Sequence, residues 1–227
     1  MNSTIKLLRS GMCFPFQCDG CGECCRHVKE QIMLEPLDAY RLGRFLKKES
    51  AVETVEEVYS KFAHPVMLTE GFPIFVLNTD GPDDACTFLK NGRCSIYSAR
   101  LRVCRLYPIT VNPEIRGALP SYYQCLDQHR RHFHGKLISV DEWVEQNTDP
   151  ETRNYMEREA AFVPELGRLL KNMSRAQQME QLFHLLYYRY YNYELEAPFL
   201  EQYERNHRAL LTELGRCEKE GAHVRTG

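Results

Sequence analysis

Cys18-Asp19-Gly20-Cys21-Gly22-Glu23-Cys24-Cys25 places four thiols within eight residues. A two-residue spacer lets consecutive thiolates face one centre, because a tight turn brings both side chains to the same side. Zinc knuckles and iron–sulfur loops share this spacing. Gly20 and Gly22 supply the conformational freedom for such a turn. One Cys-x-x-Cys pair is a moderate signal, whereas four cysteines at this density point to metal ligation.

The sequence on either side extends the pattern. Upstream, Cys13-Phe14-Pro15-Phe16-Gln17 reads as loop with one short strand. Downstream, Cys86-Thr87-Phe88-Leu89 and Cys94-Ser95-Ile96-Tyr97 flank Lys90-Asn91-Gly92-Arg93. Asn-Gly between two short apolar runs is a hairpin signal, and it sets Cys86 and Cys94 on opposite arms. Cys104 and Cys125 complete a second group at longer spacing. Taken alone these four also suit buried thiols acting as small hydrophobes. The candidate ligands are therefore Cys18, Cys21, Cys24, Cys25, Cys86, Cys94, Cys104 and Cys125, with Cys13 and Cys217 read as structural or incidental.

The spacing predicts a helix over 34–48, with Pro36 near its start, and a second over 52–62. Residues 72–77 read as a strand and 79–84 as loop, and 101–110 reads as a turn or short helix ended by Pro108. Beyond about residue 136 the composition turns helical, with Ser139 a capping candidate and three or four helices expected between 150 and 216. The expected fold is α+β and mostly α: a small cysteine-rich loop and hairpin region (1–138) packed on helices, with a helical C-terminal part (139–227).

Ten cysteines in 227 residues also bear on compartment. With no apolar run of signal length and none near the ~20 residues of a membrane span, the expected location is the cytoplasm. Disulfides are disfavoured there and grouped thiols more often bind metal. The net charge is −2, from 29 Lys+Arg against 31 Asp+Glu. A global electrostatic case for nucleic acid is therefore absent. Hydrophobic residues at 43% and charged residues at 26% suit a globular chain rather than a disordered one.

Four elements in order carry a resemblance: Cys18-x-x-Cys21-Gly22-x-Cys24-Cys25, Cys86-Thr87-Phe88-Leu89, Cys94-Ser95-Ile96-Tyr97, and Arg100-x-x-x-Cys104-Arg105-x-Tyr107-Pro108. Over residues 13–140 the chain resembles the YkgJ-type cysteine-cluster family of zinc- or iron-chelating proteins. It departs at Leu101, where that family has Pro. The same pattern is similar to the cysteine-rich part of flagellin lysine methylases. That second resemblance implies an iron–sulfur cluster with S-adenosylmethionine and a protein or peptide substrate. No glycine-rich nucleotide loop supports it independently, and whether the chain is an enzyme stays open at this point. A zinc-stabilised interaction domain is the third reading.

Eight thiolates suit two four-cysteine sites, or one iron–sulfur cluster (4Fe-4S) with spare ligands, better than a single dication, whose charge they would exceed. Arg26, Arg100, Arg102 and Arg105 sit beside the ligands in sequence and are candidates to offset thiolate charge. His27, His129, His132 and His134 are outside candidates for ligation, the run after Cys125 reading first as polar surface. The Tyr187–Tyr193 run reads as helix packing before stacking surface. Phe14 and Phe16 read either as a shield for the metal or as core. Asp83-Asp84 and Glu56-Glu57 read as loop and helix-surface charges.

Overall fold

The computed structural model describes residues 5–69, 72–111, 121–125 and 133–224, with side chains for all of these except Ile5, Thr69, Cys125 and 218–224. The fold is α+β and mostly helical, with strands confined to small sheets. The chain divides into two units, each assembled from two separate segments: Met1–Ile32 with Asn78–Arg153, and Met33–Leu77 with Asn154–Gly227. This partition is discontinuous, whereas a cut at residue 138 is contiguous.

The first unit is built on short antiparallel ladders. Ile5–Leu8 pairs with Tyr122–Cys125, which pairs in turn with Ile109–Val111. Cys13–Pro15 pairs with Leu137–Ser139. Alternation along these strands turns Leu8, Phe14, Ile109 and Tyr122 into one core with Phe16, Leu106 and Val140. Phe14 and Phe16 are thus plain core, both edge-on to Trp143. The Trp143 indole donates to the Leu106 carbonyl at 3.0 Å, which satisfies its one polar atom. Ser139 caps the Val140–Asn147 helix, its hydroxyl accepting from the Glu142 amide at 3.1 Å, as expected from sequence. Asp141 in that helix's first turn accepts from Gly11 N and Ser10 Oγ, tying the opening strands to it.

The Asn-Gly turn forms where expected, with positive φ at both Asn91 (51°) and Gly92 (73°), the geometry a two-residue hairpin loop requires. The hairpin is shorter than expected, however. It pairs Leu89–Lys90 with Arg93–Cys94, so Leu89 and not Cys86 lies opposite Cys94. Cys86 belongs to a separate ladder, opposite Thr79, within the segment read as loop. The reason lies in Phe88: its side chain is buried and its carbonyl accepts from Ser95 N and Ser95 Oγ, so the chain changes direction between Cys86 and Leu89.

The second unit holds the Pro36–Lys47 and Val55–Phe62 helices, close to their expected spans, and the Phe72–Leu77 strand. That strand pairs with Ala63–Thr69, a partner with no strand signal of its own in the sequence. Thr54 caps the second helix through the Glu57 amide. The helices Pro150–Lys171, Arg175–Leu186 and Phe199–Val224 follow, the second opened by a reciprocal Ser174–Gln177 capping box. Phe162, Leu166, Leu169, Leu170, Leu185, Leu210 and Leu214 interlock as one core.

The tyrosine run splits between roles because Tyr187–Tyr191 forms a π-helical turn. Tyr190 is buried, with its hydroxyl donating to the Pro73 carbonyl at 2.8 Å, and Tyr193 stacks on Phe199. Tyr187 is exposed beside Phe183. Arg189, in the same turn, is buried against Glu159 in a two-pronged pair at 3.1 and 2.7 Å, and Tyr203 donates to the same carboxylate.

His207 lies next to this pair, stacked 3.5 Å from Phe162 and edge-on to Tyr203. Glu159 is 4.0 Å away, but its oxygens are committed to Arg189 and Tyr203. Burial, and then the Arg189 charge, drive the His207 pKa down to about 2. The unfolded chain titrates near 6.5 and so binds a proton that the folded chain refuses. Stability is therefore full above about pH 6.5 and falls as the pH drops from there toward 2, by about 2 kcal/mol at pH 5. Urea unfolding at pH 7 and pH 5 is expected to show that extra loss in the wild type and not in His207→Phe.

Candidate metal centre

The front loop turns through Gly20 (φ 67°) and Gly22 (φ 73°) into a short 3-10 turn, Glu23–Cys25, closed by Cys25 N to Gly22 O at 3.1 Å. It is fastened to the later segment at two places. A Cβ on Gly22 would stand 2.6 Å from the Gly92 carbonyl and 3.0 Å from Leu89, so the loop's backbone lies directly on the hairpin turn. His27 N and Val28 N donate to the Asp83 and Asp84 carbonyls at 2.7 and 3.1 Å, and Arg26 pairs with the Asp83 carboxylate at 3.0 Å.

Gly22→Ala tests this docking. The left-handed φ costs an L-residue about 1–2 kcal/mol before the backbone clash is added. Gly20 has the same handedness with open space around its Cβ position. Gly22→Ala is therefore expected to destabilise by about 2 kcal/mol or more, and Gly20→Ala by about 1, in denaturant unfolding.

This fastening brings thiols from distant sequence together. Cys25 feels the charges of Cys24, Cys104 and Cys86, while Cys86 and Cys94 each feel Cys24. Five of the eight expected ligands thus share one electrostatic neighbourhood. Cys24, exposed at the surface of the loop, ionises more readily than Cys25, Cys86 or Cys94: the hydrogen bond that Cys25 donates to it, followed by the charge of Arg100, brings its pKa down to about 7. Cys25 is pushed up, first because it is the donor in that bond and then by burial. Burial raises Cys86 and Cys94 as well, partly offset by the backbone N–H of Phe88 on one sulfur and of Ile96 on the other.

Those two offsets reveal a small repeat. Cys86-Thr87-Phe88 and Cys94-Ser95-Ile96 each set an amide two residues on against the sulfur and bury the apolar side chain of that third residue. The sequence carries this signal as Cys-Thr-Phe and Cys-Ser-Ile, a hydroxyl residue and then an apolar one after each cysteine.

Cys18 is exposed at the loop's start, and Cys21 is half-buried within it. Cys104 sits on the short Arg102–Leu106 helix. Cys125 ends the Tyr122–Cys125 strand, and its side chain, like His129 and His132, lies outside the described residues. His27 and His134 are exposed. Cys13 is exposed in its ladder, and Cys217 packs in the second unit, where Gln177 donates to its carbonyl. None of the nine cysteines with described side chains forms a disulfide.

Among the described residues, no three of His, Cys, Asp and Glu converge tightly enough to form a ready-made metal site. Electrostatic influence reaches over several ångströms, whereas a zinc–sulfur bond is about 2.3 Å. Five thiols therefore share a neighbourhood without being closed on a point.

The arginines divide similarly. Arg26 is engaged with Asp83, and Arg105 reaches Asp149 and Thr152 at the start of the next helix. Arg100 remains beside Cys24 and Cys94, its guanidinium 3.8 Å over the Tyr97 ring and its Nε buried without an acceptor. The donor set as a whole fits a thiolate-bound cation: sulfur-rich, supplied with N–H donors, and flanked by a cation that offsets negative charge.

A family model described as "CxxCxxCC: Putative zinc- or iron-chelating domain" matches residues 17–130. The chain belongs to this family. The match runs from the residue before Cys18 past Cys125, so the CxxCxxCC domain takes in all eight expected ligands. It also spans the Met33–Leu77 segment, which groups with the C-terminal helices. No solved structure matches the chain. Among the described residues, no helix is long and apolar enough to cross a membrane.

Proposed function

We propose that this chain binds zinc or an iron–sulfur cluster through Cys18, Cys21, Cys24, Cys25, Cys86, Cys94, Cys104 and Cys125, and that it does so in a reducing compartment. The observation that carries this reading is the shared neighbourhood of Cys24 and Cys25 with Cys86, Cys94 and Cys104. These residues come from two segments with a 45-residue stretch, Met33–Leu77, between them. In a reducing compartment, grouped thiols that form no disulfide more often bind metal or do redox chemistry than form crosslinks. A bound metal supplies positive charge that satisfies several thiolates at once, and it crosslinks the loop to the hairpin.

The residues of the chain do the remaining work. Gly22 permits the close approach of loop and turn, and the Phe88 and Ile96 amides hold two sulfurs as acceptors. Elemental analysis of anaerobically purified protein, with absorption and electron paramagnetic resonance spectra, tests the reading. Stoichiometric zinc in a colourless protein, or iron with sulfide in a brown one, is the expected outcome. Protein free of both metals, with its thiols fully titratable, overturns it.

A further inference from the structure

We propose that the outer face of the Arg175–Leu186 helix pairs with the same helix of a second copy of this chain, the two running parallel about a twofold axis. The inference is independent of the metal centre, because every residue it uses belongs to the second unit.

Contacts within the unit separate an inner face of this helix from an outer one. Leu185 belongs to the unit's core, and Gln177 and Gln178 donate to the Cys217 and Leu170 carbonyls, so that side meets the neighbouring helices. The opposite side carries Met179 and Phe183, 59% and 70% exposed, and the Tyr187 ring lies 6.0 Å from Phe183 and nearly parallel to it. Counted in sevens, Ala176 and Phe183 take the a positions and Met179 and Leu186 the d positions. Ala176 is exposed and Leu186 half-buried. This spacing is the seam along which two helices interlock knobs into holes. A contiguous apolar stripe of this kind, rimmed by charge, marks a protein contact face.

Charge selects the occupant. In the same register Arg175 is a g position and Glu180 the e position of the next heptad. Both are exposed, and among the described residues neither makes an ion pair. Two parallel helices set the g residue of one against the following e residue of the other, so Arg175 faces the second copy's Glu180 and Glu180 faces its Arg175. The twofold axis makes this contact twice, as a self-complementary patch requires. An antiparallel pair opposes g to g and e to e, which gives these two charges no opposite partner. The helix has 12 residues, about 18 Å of length. One face of it buries well under the ~800 Å² per partner of a standard interface, so monomer and dimer exchange with concentration.

The test is sedimentation velocity on the full chain over a concentration series into the hundreds of micromolar. It is run without oxygen and with reductant, so that exposed thiols do not crosslink copies. Wild type is expected to pass from monomer to dimer along the series. Phe183→Glu puts two like charges into the seam and is expected to stay monomeric with an unchanged circular dichroism spectrum, because the side chain is exposed. Arg175→Glu and Glu180→Arg each turn two attractions into two repulsions, and each is expected to raise the dimer dissociation constant about 10-fold. An equimolar mixture of these two variants has opposite charges at both contacts and is expected to regain the wild-type dimer. Wild type that stays monomeric throughout overturns the proposal, as does a dimer that Phe183→Glu leaves intact. A dimer lost in Phe183→Glu but untouched by either charge reversal overturns the parallel pairing and points to an antiparallel copy. If Phe183→Glu fails to fold, the charge reversals and their mixture decide.

Discussion

Cys24→Ser is expected to strip most of the metal from the protein and to loosen the loop and hairpin of the first unit. Cys24 is the thiol that Cys25, Cys86 and Cys94 all feel, and it is the one held most readily as thiolate. Serine keeps the size but offers a hydroxyl that does not ionise near neutral pH, so the variant loses a thiolate ligand and leaves Cys25 with only a neutral acceptor. Affinity is expected to fall by more than the 10- to 100-fold typical of an outer partner. The structural effect follows from the scarcity of core here: between Asn78 and Arg100 the buried apolar side chains are those of Phe88 and Ile96. On the proposed ligation, a segment with so little apolar burial is expected to draw folding free energy from its metal, which reaches ~10–16 kcal/mol in small zinc domains. Anaerobic metal analysis with amide exchange across residues 79–99 reads both effects. Cys217→Ser, in the other unit, is expected to keep full metal content, and loss of metal there would show the ligand set to be wrong.

The second large effect belongs to the helical unit. Arg189→Met is expected to destabilise it by about 3–5 kcal/mol, the usual result of removing one partner of a buried ion pair. Arg189 and Glu159 have only 7% and 14% of their side chains exposed, so the carboxylate left behind would keep Tyr203 as a donor and lose two charged N–H bonds. The double variant Arg189→Met with Glu159→Leu is expected to recover much of that loss, because it leaves no uncompensated charge. Denaturant unfolding followed by circular dichroism reads both. Equal losses in single and double variants would show that packing around the guanidinium, and not the pairing, holds this turn.

Much of the local structure is legible in the sequence. The Ser139 cap, the Asn91-Gly92 turn, the Pro36 helix start and the dense thiol block each act within a few residues, and local rules read them. What escaped was non-local. The pairing of Ala63–Thr69 with Phe72–Leu77 is hidden because His64 and Pro65 break the apolar alternation that marks a strand. The placing of Cys86 on its own ladder depends on Phe88 going into the interior, a tertiary event. The division of labour among the arginines is invisible in sequence for the same reason: Arg100 and Arg105 both flank Cys104 within four residues, and only folding sends Arg105 to Asp149 and leaves Arg100 within the electrostatic reach of Cys24 and Cys94.

The interruption of the first unit by Met33–Leu77 bears on synthesis. The ribosome releases the front cysteines well before their partners at 86, 94 and 104, with an entire foreign segment made in between. During that interval the early thiolates are exposed to oxidants and to stray cations, and neither unit has its full complement of chain. Translation speed over those 45 residues, and the supply of reductant and metal while they are being made, therefore bear directly on how much of the newly made protein matures correctly.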